Sequence, residues 1–301
     1  MTIIVPAEAE KRLDWISLTE ALAAGHDLPP AEIGDTFLYR DPDTLLSRAA
    51  WIDGLGALVK SATVFPGNPQ YGKPVIGGAA VLLSDLDGSL EALVDFHLLT
   101  KWKTAGDSLL SARRLAPPVV AQVLIVGAGA VAASLIEAYG AAFPDAAISV
   151  WNRTAQRADA LASLYPAVSV AADLAEAVAN ADVIATSTMT TEPIIRGAWL
   201  RPGQHLDLIG AYRHDMREVD NEALRRGRLF VDSLATTVDH IGELKIPIAE
   251  GVIGHDDIIA DFYDLGSFTR SPEDITISKN GGGAHLDLMT ARYILDRWQD
   301  S

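Results

Sequence analysis

The stretch "QVLIVGAGAVAASLIEAY", residues 122–139, decides how the rest of the chain is read. The apolar run from Val123 to Val126 has the length and composition of a buried strand. It ends on Gly127-Ala128-Gly129-Ala130-Val131-Ala132, a G-x-G-x-x-A pattern that opens a helical segment. The first glycine makes a tight turn, the second lets backbone approach a pyrophosphate, and Ala132 is small enough for close helix–strand packing. The start of the helix presents unpaired N–H groups and a partial positive charge. A dinucleotide-binding turn follows, with Gly127, Ala128, Gly129, Ala130 and Val131 as its residues.

Downstream, strands and helices alternate. "AAISVWN", "DVIATST", "HLDLIGAY" and "RLFVDS" read as strands; "AQRADALASLY" and "DLAEAVANA" read as helices. Such alternation implies an α/β fold, a Rossmann-type doubly wound parallel sheet, over residues 119–279. Strand carboxyl ends line the ligand crevice of such sheets. "TSTMTTEP" therefore puts Thr186, Ser187, Thr188 and Met189 beside the ligand.

"SVWNRT", residues 149–154, fixes the cofactor preference. Asn152 lies about 25 residues beyond Gly127, near the ~20 at which an acidic side chain normally holds the ribose hydroxyls. No carboxylate stands there. Arg153 would pair bidentately with a 2′-phosphate, Asn152 and Thr154 flank it with hydrogen-bonding groups, and Arg157 follows one helical turn later. The expected cofactor is NADP(H), with NAD(H) the alternative.

Upstream the texture differs. "SLTEALAAG" reads as a helix capped by Ser17 and Glu20 and closed by Gly25. From Trp51 to Asp95 short apolar runs broken by turns suggest antiparallel strands, with Asp87-Gly88 in a hairpin turn. "LLTKWKTAGDSLLSARRLA" is helical until Pro117-Pro118 stops it. A last helix, "AHLDLMTARYILDRW", follows three glycines and returns to the first domain. An α+β domain of residues 1–118 with 280–301 is thus expected beside the dinucleotide domain.

Composition narrows the function. The 301 residues carry a net charge of −16 without a basic run, which argues against a nucleic-acid partner. There is no cysteine, so disulfide scaffolds and zinc–thiolate sites are excluded. No segment reads as a signal peptide or membrane span, and a cytoplasmic protein without a membrane partner is expected. His255, Asp256, Asp257 and Asp261 read as a solvated acidic loop, and no metal site is expected.

Blocks along nearly the whole chain resemble the ornithine cyclodeaminase/mu-crystallin family. They are "GALVKSATVFPGNPQYGKP", "LVDFHLLTKWKTAGDSLLSARRLA", "IVGAGA", "ADVIATST", "LDLIGAYRHDMREVD" and "GGGAHLDLMTA". The resemblance implies a homodimer whose dinucleotide domain is joined to a substrate-binding and dimerisation domain. It assigns Lys60, and more loosely Arg48, to a small carboxylate-bearing substrate. Lys60 sits among apolar residues, where burial lowers a lysine's pKa and makes it a usable acid or base.

Two positions depart from the family pattern. Lys103 stands where the family has a carboxylate-binding arginine, keeping the charge without the bidentate fork. Tyr212 stands where cyclodeaminases carry an aspartate. The expected activity is therefore NADP(H)-dependent reduction of a small ketimine, or oxidation of the matching amino acid. Ornithine cyclodeamination with internally recycled NAD, and a non-catalytic NADPH-binding role, are the alternatives.

Overall fold

The computed structural model describes residues 2–300. They form two compact units: the residues up to Lys103 together with those from Gly283 onward, and Thr104–Gly282.

The first unit is built on a six-stranded sheet, in the order β1-β6-β5-β4-β3-β2. Its strands are β1 (Ile3–Val5), β2 (Glu32–Arg40), β3 (Asp43–Ile52), β4 (Gly56–Val64), β5 (Ile76–Leu83) and β6 (Leu90–Val94). Only β1 pairs in parallel, with β6; the other pairs are antiparallel. Strand side chains alternate between faces, and on β4 Gly56, Leu58 and Lys60 are buried while their neighbours are less so. That face is covered by the C-terminal helix α8 (Ala284–Gln299), on which α1 (Trp15–His26) packs in turn. The antiparallel strands between Trp51 and Asp95 match the sequence reading, and Gly88 supplies a positive φ of 70° to the β5–β6 turn.

The cap of α1 differs from expectation. Asp14, not Ser17, precedes the helix, and its carboxylate accepts the Ser17 N–H at 2.7 Å. Gly25 lies inside the helix, where a Cβ would stand 2.7 Å from the Met289 sulfur of α8. The glycine permits helix contact and does not end the helix. Strand β2 is exposed on every residue, so no buried alternation marked it in the sequence.

Helix α2 (Phe96–Leu115) stops just before Pro117-Pro118, as the sequence implies, but the two units divide inside it, after Lys103. The expected division at 118/119 followed the prolines. The later half of α2 instead bonds to the second unit, through Ser108 to Tyr139 and Ser111 to Ser278, both at 2.7 Å.

The second unit holds eight parallel strands: β7 (Gln122–Val126), β8 (Ala147–Trp151), β9 (Val168–Val170), β10 (Val183–Thr186), β11 (His205–Leu208), β12 (Gly227–Val231), β13 (Ile258–Ala260) and β14 (Ile275–Lys279). Their order is β13-β12-β14-β11-β10-β7-β8-β9. The connecting helices include α3 (Ala130–Ala142), α4 (Ala155–Ala162), α5 (Leu174–Asn180), α6 (Asn221–Arg226) and α7 (Gly242–Ala249). Leu124, Val126, Ile184, Leu206, Leu208, Val231 and Ile277 form the centre of its core. Strand order reverses between β7 and β10, the switch point where such sheets open a crevice. Among the described residues no helix is long and apolar enough to cross a membrane.

Candidate functional site

The switch point is shaped by three strand ends drawn together. Gly127 has φ 128°, its N–H donates to the Trp151 carbonyl at 2.8 Å, and a Cβ there would lie 2.6 Å from Ser187 Oγ. Only glycine fits this turn. The Ser187 N–H donates to the Val126 carbonyl at 2.8 Å, which ties β10 to β7 at the same level. A crevice of ≈ 360 Å³ results, lined by Gly127, Ala128, Gly129, Asn152, Arg153, Arg157, Ser187, Thr188 and Met189, with Trp151, Thr190 and Ile194 beside them.

Nine of the residues expected at the cofactor thus lie on one crevice. Ala130 and Val131 open α3 behind it, and Thr154 is the N-cap of α4. Thr186 is fully buried in β10 and does not line the crevice; its hydroxyl faces the Asp207 carbonyl at 3.4 Å. Asn152 uses its amide on the Thr154 carbonyl at 2.9 Å, shaping the turn that carries Arg153. Both Arg153 and Arg157 are exposed at the mouth. Helix α3 has Gly129 as N-cap with no side-chain cap, and a Cβ on Gly129 would meet nothing within 4 Å. The turn and the uncapped helix start fit the pyrophosphate of a dinucleotide.

The first unit holds a buried charge cluster. Arg48 on β3 and Lys60 on β4 are cross-strand partners, so both project toward α8. Asp287 on α8 meets them there. Lys60 Nζ donates to Asp287 Oδ1 at 2.7 Å and lies 5.1 Å from the Phe96 ring centroid. Arg48 Nη1 is 3.9 Å from Asp287 Oδ2, and Arg48 Nη2 donates to Asp35 at 2.8 Å. Lys103 is buried and adds its charge to both Lys60 and Asp287.

These groups shift one another. Burial pushes the Lys60 ammonium below the ordinary lysine range; Asp287 resists, while Lys103 and Arg48 add to the fall. Burial also favours the neutral acid at Asp287, but Lys60, Lys103 and Arg48 together outweigh it and hold the carboxyl below its usual range. Three cations thus face two carboxylates, a local positive surplus in a chain of net charge −16. Asp287 Oδ2 has no hydrogen-bond partner although it is fully buried.

Asp287 is the member of the cluster that the sequence does not announce. An acid at the start of a helix ordinarily complements the helix dipole, whereas α8 turns this one inward onto the sheet. The "HLD" spacing gives no signal, because its hydrogen-bond partner Lys60 lies 227 residues away. The acidic loop near His255 disperses into local bonds: His255 to Asp239 at 3.0 Å, Asp257 to the Gly254 N–H at 2.7 Å, and Asp261 to the Leu234 N–H at 3.0 Å.

The sequence profile of the ornithine cyclodeaminase/mu-crystallin family matches residues 53–301. The chain belongs to that family. It is 49% identical over 296 residues to the Delta(1)-pyrroline-2-carboxylate reductase of Paracoccus denitrificans, covering 95% of this chain and 94% of that protein. It is 34% identical over 242 residues to the ketimine reductase mu-crystallin of Mus musculus, covering 79% and 75%. The solved structure of Thermococcus litoralis Delta(1)-pyrroline-2-carboxylate reductase, in complex with NADH and L-proline, has the same fold, with a TM-score of 0.89 at 22% identity over 98% of this chain and 97% of that one. Within the family, this member carries Tyr212 after "IGA", 58% exposed, and so lacks a carboxylate at that position.

Proposed function

We propose that the protein is an NADP(H)-dependent reductase of small carboxylate-bearing ketimines, with Δ(1)-pyrroline-2-carboxylate the leading substrate. The observation that carries this reading is the buried Arg48–Lys60–Lys103 cluster around Asp287, with its surplus of positive charge. A small anion is the ligand such a surplus favours. The relatives named as reductases of pyrroline-2-carboxylate and ketimines support it, as does the crevice at the β7–β10 switch point.

Arg48 and Lys103 bind the substrate carboxylate and orient the reacting carbon. Lys60, easily deprotonated because it is buried among cations, gives its proton to the imine nitrogen. The iminium carbon then accepts hydride far more readily than a neutral imine would. Asp287 Oδ1 returns charge balance to Lys60, and its unpartnered Oδ2 is the acceptor for the iminium N–H. Gly127, Ala128, Gly129 and the start of α3 hold the pyrophosphate, Ser187, Thr188 and Met189 line the sugar, and Arg153 with Arg157 takes the 2′-phosphate. The bound nicotinamide supplies the hydride.

The test is steady-state reduction of Δ(1)-pyrroline-2-carboxylate and open-chain ketimines with NADPH and with NADH. Turnover with NADPH at the higher kcat/KM is expected. Ammonia and proline released from L-ornithine, with no net change in cofactor, would overturn the reductase reading. So would tight NADPH binding without turnover of any imine in the panel.

We infer further that two copies pair through the sheet face opposite α8. Ile4, Leu38, Leu45, Trp51 and Leu93 alternate with the helix-covered residues and remain 36–70% exposed. Monomeric proteins seldom leave so many large apolar groups on one face. Sedimentation of the wild type as a dimer, and of Trp51→Glu as a monomer, is the expected result.

A further inference from the structure

A second group of buried charges lies in the second unit, and the reaction above does not use it. Glu218 is fully buried, and its carboxylate receives four donors. Oε1 accepts from the N–H and the hydroxyl of Thr188, at 2.8 and 2.7 Å. Oε2 accepts from the N–H groups of Gly210 and Ala211, at 2.8 and 3.2 Å. A carboxylate has about four acceptor positions, so the four donors saturate this one. The two sets of donors belong to different strand ends: Thr188 follows β10 and lines the crevice, while Gly210 and Ala211 follow β11.

The main chain of the same residue reinforces the link. The Glu218 carbonyl accepts from the N–H groups of Ile194 and Ile195, both at 3.0 Å, and Ile194 also lines the crevice. The neighbouring Arg217 N–H donates to the Thr190 carbonyl at 3.0 Å. Gly210 completes the fit, since a Cβ there would lie 2.1 Å from the Thr188 carbonyl oxygen. Behind Glu218 stands Glu243 on α7. Its two oxygens accept the N–H groups of Glu218 and Val219, at 2.6 and 3.1 Å.

We propose that Glu218 is a positioning residue of the dinucleotide crevice. Its carboxylate spaces the β10 and β11 ends and fixes the wall from Ser187 to Ile194 before ligand arrives. Glu243 holds the peptide that presents Glu218. Neither carboxylate touches the reacting atoms; both act through Thr188 and its neighbours. The proposal rests on reading the crevice as the NADP(H) site.

Glu218→Gln tests it. Glutamine is isosteric but replaces one acceptor oxygen with a donor, so at least one N–H of Thr188, Gly210 or Ala211 loses its partner. NADPH fluorescence titration of the folded variant should show affinity about tenfold weaker. KM for NADPH should rise while kcat at saturating cofactor and KM for the imine stay near wild type. A loss that is merely structural would lower the melting temperature and leave the folded fraction binding normally; that outcome overturns the proposal. Hydrogen exchange on the ligand-free wild type gives a second measure that does not depend on the variant folding. The amides of Thr188, Gly210 and Ala211 should already be protected, and rapid exchange there overturns the preset wall. Wild-type protein that binds neither NADPH nor NADH overturns the crevice reading and the proposal together. Wild-type binding with an unchanged Glu218→Gln overturns the proposal alone.

Discussion

Two buried carboxyls, Asp287 in the first unit and Glu243 in the second, meet the same desolvation and answer it in opposite directions. Asp287 is held below its ordinary range, and Glu243 is pushed up to about 7. Burial alone would raise both. Asp287 faces Lys60, Lys103 and Arg48, and the three cations outweigh burial. At Glu243 burial is reinforced by the charge of Glu218, and Lys279 with two backbone N–H groups only moderates the rise. Lys279 is itself spent elsewhere: it donates to the Leu208 and Asn280 carbonyls, while Asp232 and Asp107 also share its charge. Burial sets the size of such effects, and the count of neighbouring charges sets their sign. The cation-rich cluster suits an anionic substrate; the carboxylate-rich one suits holding backbone N–H groups.

The comparison breaks most readily at Lys60. Lys60→Met should lower kcat for imine reduction by about 10³-fold, the upper-middle range for loss of a positioned proton donor. The drop should shrink for a substrate that is already protonated at the assay pH. Asp287→Asn should come next. It leaves buried Lys60 and Lys103 and half-buried Arg48 facing only Asp35, and urea unfolding at pH 7 should show about 3 kcal/mol less stability. A loss under about 1 kcal/mol would mean the cluster is not the tightly coupled unit described above.

The third prediction concerns pH. Between its ordinary 4.5 and about 7, Glu243 is protonated in the folded protein and ionised in the unfolded chain. Protons therefore favour the native state across that window, and this group's contribution falls as pH rises through it, by up to about 3 kcal/mol. Asp287 works the other way. Its contribution is present above 3.8 and is lost only as pH falls through its lower native value. From pH 5 to 8 the melting temperature of Glu243→Gln should fall less steeply with rising pH than that of wild type, and equal slopes would remove this contribution. The smallest effect is expected at an exposed cation. Arg153→Ala should weaken NADPH about tenfold, or ~1.4 kcal/mol, and leave NADH nearly unchanged. Equal losses for both cofactors would remove the 2′-phosphate role.

Legibility in the sequence followed the range of the interactions. The G-x-G-x-x-A turn, the missing acid at "SVWNRT" and the "TSTM" strand end were readable because each depends on neighbours in the chain, and the crevice gathers most of their residues. The cap of α1 was misplaced by three residues' worth of local ambiguity, since Asp14 and Ser17 are both good N-caps. Strands β9 and β13 were missed because three residues give no periodicity. β14 was missed because "ITISK" alternates like an exposed strand, yet it lies fully buried between β11 and β12.

The chain's own order of residues determined the parallel Rossmann-type unit, its glycine turn and the cationic strand end beside it. Those features are set by backbone sterics and hydrogen bonds between residues close in sequence. Folding alone decided that Asp287 reaches Lys60 across 227 positions, and that Glu218 gathers donors from two separate strand ends. A buried charge takes its energy from whatever surrounds it in space, and no spacing along a sequence specifies that surrounding.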